Sequence, residues 1–263
     1  MYSLKKIIAI GFLFYLPLQS SAWGVLGHRI VGQVAESYLT KHTKKEIAKI
    51  LGHESIAMCA NWGDFIKSDP AFGYLSSWHY VDMNGGLSEQ EVLNYLATDS
   101  ATDAYTKISF LTEQLKNKDL DKDKKVMYLR LLVHIVGDVH QPLHVGHVDD
   151  KGGNTIKVLW FNEHTNLHQV WDERLINFQQ LSYTEYTNAI NFATKDQVKE
   201  LQNQPVSLWI AHTYALAQKV YADITEPEQR LDYKYNFNNL ALLNEQLLEG
   251  GIHLAGLLNE IFD

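Results

Sequence analysis

Two ionisable residues inside one strongly apolar segment constrain this chain more than any other feature of its sequence. The segment LRLLVHIVGDVHQPLH runs from Leu129 to His144 and places His134 and Asp138 four residues apart. On a helix, residues four apart lie on one face, so this imidazole and this carboxylate point to a common place. Because burying such groups in an apolar core is costly unless they pair or bind a metal ion, the fold must supply one or the other.

A second segment repeats the spacing, since HQVWD places His168 and Asp172 four residues apart. One such pair alone is weak support for a metal site, because the same pair also occurs as an exposed contact along a helix. Further histidines and acids stand in apolar or aromatic surroundings: His28, Asp64, His79, His140, His144 and His147. Taken singly, each is most simply a hydrogen-bonded core residue. Taken together, so many buried polar groups would need independent partners, which favours metal sites.

Apolar residues recur every three or four positions over most of the chain, which predicts a mostly helical fold. SEQEVLNYLA begins with Ser88 and carries Glu91 three residues later, the pattern of a capping box. The long helix that contains the first His–Asp pair should end before Pro142. Only the stretch Asn154–Phe161, NTIKVLWF, has the composition of a strand. The sequence therefore predicts a single all-α domain with at most a short β-hairpin.

The first 22 residues have the composition of a cleaved secretory signal peptide. Two lysines precede the apolar run IIAIGFLFYLPL, and small residues follow at positions 20–22, where signal peptidase cuts. A membrane anchor is the alternative, but the run is shorter than the about 20 residues that a membrane span needs. Cutting after Ala22 would leave residues 23–263 as the mature domain, with Trp23 at its start.

The charge of the chain restricts its partners. The formal charge is −8, and removal of the signal peptide takes away two lysines and no acids, which gives −10. A chain this acidic repels nucleic acid and anionic lipid unless a local charge reverses the field. Cys59 is the only cysteine, so no intrachain disulfide can form. An exported chain without disulfides is compatible with a bacterial periplasm or with secretion from bacteria, and it must rely on its core or on bound metal for stability.

Seven segments spread over nearly the whole mature chain form a joint pattern: WGVLGH, NWGDFIK, WHYVD, HIVGDVHQPLHVG, GGNTIKVLWF, NLHQVWD and GGIHLAGLLNEIF. In this combination they resemble the zinc-dependent S1/P1 nucleases, a family that includes plant bifunctional endonucleases. No single segment is specific, but the set is. The resemblance implies a mostly helical fold of the phospholipase C/P1 nuclease type, with three zinc ions at the base of a cleft.

The resemblance also implies three sets of zinc ligands. The first zinc would be held by Asp64, His79, His134 and Asp138, and the second by His144, His168 and Asp172. The third would be held by His28, by Asp138 and by the α-amine and carbonyl oxygen of Trp23. Asp138 would bridge the first and third ions, so these two ions should be the closest pair. Because the Trp23 amine becomes free only when the bond from Ala22 is cut, export would complete the third site.

The same resemblance implies hydrolysis of single-stranded DNA and RNA to 5′-phosphate products, together with 3′-nucleotidase activity. Asp64 would orient the attacking water, and Lys67 would stabilise charge in the transition state. Tyr80 would stack on a base, and Asp82 would bind the hydrogen-bonding edge of that base. The alternatives are a solvated surface lysine for Lys67 and a core aromatic for Tyr80. No role is assigned to Asn154, His140 or His147.

The expected partners are therefore single strands and nucleotides as substrates, with no stable protein partner, no membrane contact after processing and a monomeric state. The expected location is secreted or periplasmic, in a bacterium. Two other functions stay open. A zinc-dependent phospholipase C resembles this family in fold, metal cluster and N-terminal tryptophan, and an exported zinc-binding protein could have equally complete sites without catalysis. The HYVD segment and Lys67 favour a nuclease, and coordinatively open zinc favours catalysis.

Overall fold

Three long helices form the framework on which the rest of the chain is arranged. The computed structural model describes residues 23–263. Helix α1 (Val25–Tyr38) packs along α13 (Tyr233–Phe262), and α7 (Lys122–Asp138) contacts both. A Cβ atom on Gly251 of α13 would come within 2.4 Å of the Val34 Cβ of α1. This glycine therefore permits a backbone approach between α1 and α13 that any larger residue would prevent.

The other helices cover this framework, and one of them, α12, is as long as α7 with 17 residues. They are α2 (Lys41–Leu51), α3 (Ile56–Cys59), α4 (Trp62–Phe65), α5 (Glu89–Ala97), α6 (Ala104–Lys116), α8 (Leu167–Gln169), α9 (Leu175–Phe178), α10 (Tyr183–Ile190), α11 (Lys195–Gln202) and α12 (Val206–Ala222). Turns of 3-10 helix lie at Ile66–Ser68, Pro70–His79, Pro142–Val145 and Val148–Asp150, and a π-helical turn lies at Val170–Arg174. The prediction of a mostly helical, all-α fold is confirmed.

Local side-chain caps explain where several helices begin. In α5, the Ser88 hydroxyl accepts a hydrogen bond from the Glu91 N–H, while the Glu91 carboxylate accepts one from the Ser88 N–H at 2.8 Å. The predicted capping box is therefore present. At the start of α7, the Asp121 carboxylate accepts hydrogen bonds from the backbone N–H groups of Asp123 and Lys124. Such caps satisfy N–H groups that have no partner inside the helix.

Helix α7 carries the apolar segment into the centre of the protein. From Leu131 to Asp138 each residue is buried. The α-helix ends at Asp138, four residues before Pro142, and the chain continues through a tight turn in which the His140 N–H donates to the Gly137 carbonyl. The prediction that this helix ends before Pro142 is therefore right, and its last residue is itself a candidate metal ligand.

The sheet is small but larger than expected. Strands β1 (Lys157–Trp160) and β2 (Glu163–Asn166) form the predicted antiparallel hairpin, with Lys157 opposite Asn166. A third strand, β3 (Arg230–Leu231), pairs parallel with β1. The predicted strand began at Asn154, but β1 begins three residues later because Gly152 and Gly153 have φ angles of +60° and +79° and form a turn. A two-residue strand such as β3 leaves no alternating pattern in the sequence.

The hydrophobic core extends from Trp23 to Ile261 and includes buried residues of the long helices. Cys59 is buried and free. Among the helices of the described region, none is long and apolar enough to cross a membrane. The predicted signal peptide, residues 1–22, lies outside the described residues, so the division at Ala22 stays a prediction.

Candidate metal centre

Eight of the predicted ligand side chains meet at the C-terminal end of α7. They come from α1 (His28), α4 (Asp64), the 3-10 turns (His79 and His144), α7 (His134 and Asp138), α8 (His168) and the π-helical turn (Asp172). Seven of these residues are buried, and Asp64 is partly exposed. Residues that are far apart in sequence thus place ionisable groups in one place inside the core.

Asp138 is at the middle of the larger group, which we call the first group: His28, Asp64, His79, His134 and Asp138. One oxygen of the Asp138 carboxylate lies 3.2 Å from His28 Nε2. The other lies 2.9 Å from His79 Nδ1 and 3.3 Å from His134 Nε2. The two oxygens therefore face different imidazoles, which is the arrangement that a bridging carboxylate requires.

The boundary between the two predicted ligand sets that share Asp138 is less sharp than expected. His134 Nε2 lies 3.7 Å from the Asp64 carboxylate, and ligand atoms of His28, Asp64 and His134 lie within 4.8 Å of one another. The rings of His28 and His134 stack with centroids 3.9 Å apart. The two predicted sets thus form one continuous cluster in which His134 also neighbours His28.

The second group, His144, His168 and Asp172, has the membership that was predicted. The Asp172 carboxylate lies 3.2 Å from His168 Nε2 and 3.7 Å from His144 Nε2. The π-helical turn begins at Val170, between His168 and Asp172, so this pair is not on a regular α-helix. Wide turns of this kind occur frequently at functional sites.

The hydrogen bonds of the imidazoles fit the binding of zinc. The Nδ1 atoms of His134, His144 and His168 each donate to a backbone carbonyl at 2.6 Å, those of Ala60, His79 and Gly152 respectively. This fixes the Nδ1–H tautomer and turns the Nε2 lone pair toward the groups. The buried Nε2 atoms of His144 and His168 have no hydrogen-bond partner among the described residues. Neutral imidazoles and carboxylates are ligands that zinc prefers.

Burial determines the ionisation of the first group. It lowers the pKa of His134 to about 4 and also lowers the pKa values of His28 and His79, so these imidazoles are neutral at pH 7. Burial raises the pKa of the Asp138 carboxyl, and the nearby Asp64 adds to the effect. A cation bound among these groups would offset the burial of the Asp138 charge, because it attracts the carboxylate.

In the second group, the attraction between opposite charges outweighs the effect of burial on the pKa values. Burial acts to lower the pKa of His168, but the Asp172 carboxylate outweighs this and raises it. Burial acts to raise the pKa of Asp172, but the imidazoles of His168 and His144 outweigh this and hold it below its usual range. Asp172 is therefore an ionised carboxylate, ready to bind a cation.

Lys67 lies beside Asp64 of the first group. Its Nζ is 2.7 Å from the Asp64 carboxylate, and both side chains are only partly accessible. The ion pair spans three residues across the end of α4 and the following 3-10 turn. The alternative of a fully solvated surface lysine does not agree with this contact, so a positive charge stands beside a candidate ligand.

Tyr80 and Asp82 follow His79 in an extended segment between the two groups and α6. The backbone N–H of Val81 donates to the His144 carbonyl, and the Tyr80 carbonyl accepts from Ala104 at the start of α6. The Tyr80 ring is 39% exposed, which does not agree with a core aromatic. Burial raises the pKa of Asp82 to about 6, although His168 acts to lower it.

Trp23 is completely buried at the start of the described chain. The next residue, Gly24, donates its N–H to the Asp172 carbonyl at 2.8 Å, which ties the start of the domain to the second group. A Cβ atom on Gly27 would come within 3.0 Å of the Trp23 Cβ, so α1 also packs closely on this residue. The role of Trp23 as a zinc ligand, through its α-amine and its carbonyl oxygen, stays a prediction.

Gln141 was missed by the sequence analysis. It is fully buried, and its side-chain amide donates to the Asp172 carboxylate at 2.5 Å. In the sequence, the only feature that set Gln141 apart was its position directly before Pro142. That position does not show that its side chain contacts a candidate ligand. The backbone carbonyls of Ala60 and Gly152, which orient His134 and His168, could not be predicted from the sequence, because every residue type has a backbone carbonyl.

His140 and His147 lie close to the ligands in sequence but join neither group. His140 Nε2 and His253 Nδ1 share a hydrogen bond of 2.7 Å. The His253 ring in turn stacks on Trp209, with ring centroids 4.5 Å apart. His147 stacks on the Tyr221 ring at 3.9 Å. Asn154 donates its side-chain amide to a carbonyl in its own turn, so it contributes to the shape of that turn.

The buried His253 gives an expected pH dependence of stability. Burial, with a smaller effect of His140, lowers the pKa of His253 to about 2, well below the ordinary value of 6.5. Between these pH values the unfolded chain binds a proton that the folded chain does not, so the free energy of unfolding decreases as the pH falls below 6.5. His253→Gln should flatten this decrease by about 1.4 kcal/mol per pH unit in urea unfolding. If the free energy of unfolding of His253→Gln changed with pH as steeply as that of the wild type, the prediction would be wrong. His42→Gln is the control, because His42 is exposed.

The comparison with known proteins agrees with this geometry. The sequence profile of the family described as S1/P1 Nuclease matches residues 23–263. Endonuclease 3 of Arabidopsis thaliana is 31% identical over 282 residues, which cover 97% of this chain and 94% of the relative. Nuclease P1 of Penicillium citrinum is 28% identical over 268 residues, which cover 91% and 97%. Nuclease S1 of Aspergillus oryzae is 32% identical over 157 residues, which cover 58% and 54%. The chain belongs to the S1/P1 nuclease family.

Proposed function

We propose that this chain is a zinc-dependent endonuclease that hydrolyses single-stranded DNA and RNA to 5′-phosphate products and also acts as a 3′-nucleotidase. Family membership makes it a hydrolase of phosphodiester bonds. The observation that carries the proposal is the buried Asp138 carboxylate, whose two oxygens lie 2.9–3.3 Å from imidazole nitrogens of His28, His79 and His134. Within the described residues, one Asp138 oxygen and the Nε2 atoms of His28 and His79 are buried without a hydrogen-bond partner, which favours bound cations.

The proposed cofactor is three zinc ions. The ligand sets are those that the family resemblance implies, with Trp23 completing the site that contains His28 and Asp138. Three divalent cations exceed the charge of the carboxylates of Asp64, Asp138 and Asp172, so the loaded site would be positive although the chain is acidic. This local field would attract a phosphodiester, whereas the whole surface would not attract a duplex.

The residues beside the centre suggest how cleavage proceeds. When bound, zinc supplies Lewis acidity and lowers the pKa of water to roughly 7. Asp64 accepts a hydrogen bond from the attacking water and orients it toward phosphorus. Lys67 Nζ, 2.7 Å from Asp64, compensates the negative charge that grows on the non-bridging phosphate oxygens. Attack opposite the 3′-oxygen breaks the P–O3′ bond, so one product carries a 3′-hydroxyl and the other a 5′-phosphate.

The extended segment after His79 supports a base-binding role. Tyr80 is 39% exposed, so it is accessible to a ligand. Asp82 lies two residues later, and burial raises the pKa of its carboxyl group to about 6. A base that is unpaired can stack on the ring and bond to the carboxyl group, whereas a paired base cannot. This is a physical reason for a preference for single strands.

Tyr80→Ala is expected to raise KM for nucleotides and short oligonucleotides about 5- to 100-fold, because stacking on one base contributes about 1–3 kcal/mol. The zinc content should not change, since the phenol is not a candidate ligand. Steady-state kinetics and metal analysis of the same preparation check both expectations. Tyr80→Phe keeps the ring and should stay close to the wild type. Unchanged kinetics in the alanine variant would exclude the stacking role.

Side-by-side assays of the protein with its native processed terminus test the proposed function. The substrates are single-stranded DNA, RNA, 3′-nucleotides and phosphatidylcholine, and the number of bound zinc ions is measured in parallel. We expect hydrolysis of both nucleic acids with 5′-phosphate ends. Hydrolysis of phosphatidylcholine alone would identify a phospholipase C, and three bound zinc ions without hydrolysis of any substrate would identify a zinc-binding protein. Either result would overturn the proposal.

The proposed location is outside the cytoplasm, after removal of residues 1–22, and the proposed state is a monomer. Residues 1–22 have the composition of a signal peptide, and their removal would free the Trp23 amine for the site. The relatives described above come from a plant and from fungi, so they give no support to the expected bacterial origin. Size-exclusion chromatography with light scattering would test the oligomeric state.

A further inference from the structure

A continuous set of aromatic side chains connects α4, the 3-10 turn Pro70–His79, α6 and α7. We call it the aromatic strip, and it consists of Trp62, Phe72, Tyr74, Trp78, Phe110 and Tyr128. Neighbouring ring centroids in this order are 5.7–6.4 Å apart. Trp78 directly precedes the candidate ligand His79. Tyr128 lies six residues before His134 on α7, which is roughly 9 Å at 1.5 Å per residue. The strip is therefore built in part from segments that also carry candidate ligands.

Two rings of the strip are exposed to solvent. Tyr74 is 55% exposed and Phe110 is 38% exposed, and Trp78 between them is buried. Single exposed aromatic side chains are ordinary on protein surfaces, but contiguous exposed aromatic surface marks binding sites. Tyr74 and Phe110 both contact the edge or face of Trp78, so they form one supported platform.

A positive charge stands within this platform. Lys107 Nζ lies 4.8 Å from the Trp78 ring centroid and 5.2 Å from that of Phe110. The ion pairs found within residues 23–263 do not include Lys107, so its charge is not neutralised by a close carboxylate. A second cation, Arg130, lies 5.9 Å from the Trp62 ring centroid but is paired with Glu54. On a chain with a formal charge of −8, an ammonium group held between aromatic rings suits an anionic and aromatic ligand.

We propose that the aromatic strip and Lys107 bind single-stranded nucleic acid next to the nucleotides whose linkage is cut. This inference rests on the proposed nuclease function. Bases of the flanking one or two nucleotides stack on Tyr74 and Phe110, and Lys107 contacts the phosphate that joins them. Every base has a ring face, so the contact tolerates any sequence, but it requires unpaired bases. The strip thus selects single-stranded polymers over mononucleotides.

The test compares oligonucleotides with mononucleotides. Tyr74→Leu and Phe110→Leu keep an apolar side chain that packs on Trp78 but lose the ring face. Each is expected to weaken binding of a fluorescent phosphorothioate oligothymidylate to the holoenzyme about fivefold to tenfold in anisotropy titrations. Hydrolysis of 3′-nucleotides should be unchanged, because a mononucleotide does not reach the strip. Phe192→Leu and Phe237→Leu are matched controls, since these rings are 78% and 80% exposed and do not belong to the strip.

Lys107→Gln tests the phosphate contact separately. Loss of one phosphate contact should reduce the slope of log affinity against log salt concentration by about 0.7. The leucine variants should keep the wild-type slope, because stacking releases no counterions. Lys118→Gln, another surface lysine, is the control.

The outcomes separate this inference from the proposed function. Wild-type oligonucleotide affinity in Tyr74→Leu, Phe110→Leu and Lys107→Gln would overturn it. Variants that lose oligonucleotide binding and 3′-nucleotide hydrolysis to the same extent would also overturn it. A change of oligomeric state in light scattering with unchanged oligonucleotide affinity would identify the strip as a protein interface and also overturn it. If the wild type hydrolyses no nucleic acid but the strip variants still bind oligonucleotide less tightly than the controls, the proposed function fails and the binding region stands.

Discussion

Asp138→Asn is expected to reduce kcat/KM for single-stranded DNA by at least about 100-fold and to lower the zinc content of the protein. Loss of a group that merely orients a metal ligand weakens metal affinity about 10- to 100-fold, and Asp138 is itself a candidate ligand. Its carboxylate is fully buried and faces His28, His79 and His134. Asparagine has the same shape but no charge, so it removes the attraction for cations with little change in packing.

Steady-state kinetics and metal analysis by mass spectrometry measure this effect. Asp123→Asn is the matched control, because Asp123 is an exposed acid on the same helix. Surface substitutions of this kind usually change stability by less than about 0.5 kcal/mol, so the control should keep both activity and zinc. Full zinc content with wild-type turnover in Asp138→Asn would show that the carboxylate is not a ligand needed for catalysis.

Removal of metal by a chelator is expected to abolish hydrolysis and to lower Tm by at least about 10 °C. An ion present at a thousandfold excess over its Kd stabilises the folded state by about 4 kcal/mol. In a chain of this size each kcal/mol corresponds to about 2–4 °C. Without a cation, Asp138 stays buried among neutral imidazoles, where burial and Asp64 raise the pKa of its carboxyl group.

Added Zn²⁺ should restore both Tm and hydrolysis. Mg²⁺ should restore neither, because it prefers oxygen ligands and most candidate ligands are imidazole nitrogens. The Asp138→Asn variant provides an internal control, since it should lose less stability on chelation than the wild type. A Tm that does not respond to the chelator would mean that the histidine and aspartate groups are stable without metal.

Local spacing explains what the sequence could predict. The four-residue separation of His134 and Asp138 places both on one face of α7, and their atoms lie 3.3 Å apart. The same reasoning worked for Ser88 and Glu91, whose capping box depends on four consecutive residues. His168 and Asp172 also meet, with 3.2 Å between His168 Nε2 and the Asp172 carboxylate, although a π-helical turn begins between them.

Contacts between distant segments explain what the sequence could not predict. The stacking of His28 on His134 depends on how α1 approaches α7, which no local pattern specifies. The buried contact of Gln141 with Asp172 and the pairing of the two-residue β3 have the same origin. The family resemblance supplied the candidate ligands, but the hydrogen bonds that orient them come from backbone carbonyls, which are the same for any sequence.

The packing of α1 against α13 has a consequence for the order in which the site is assembled. His28 lies on the first helix of the described chain, and that helix is covered by the last one. Helix α1 therefore gains this covering surface only when the thirty residues of α13 have been synthesised. Because α1 carries His28, we expect the first group to be assembled late, after the segments that supply its other members have already been made.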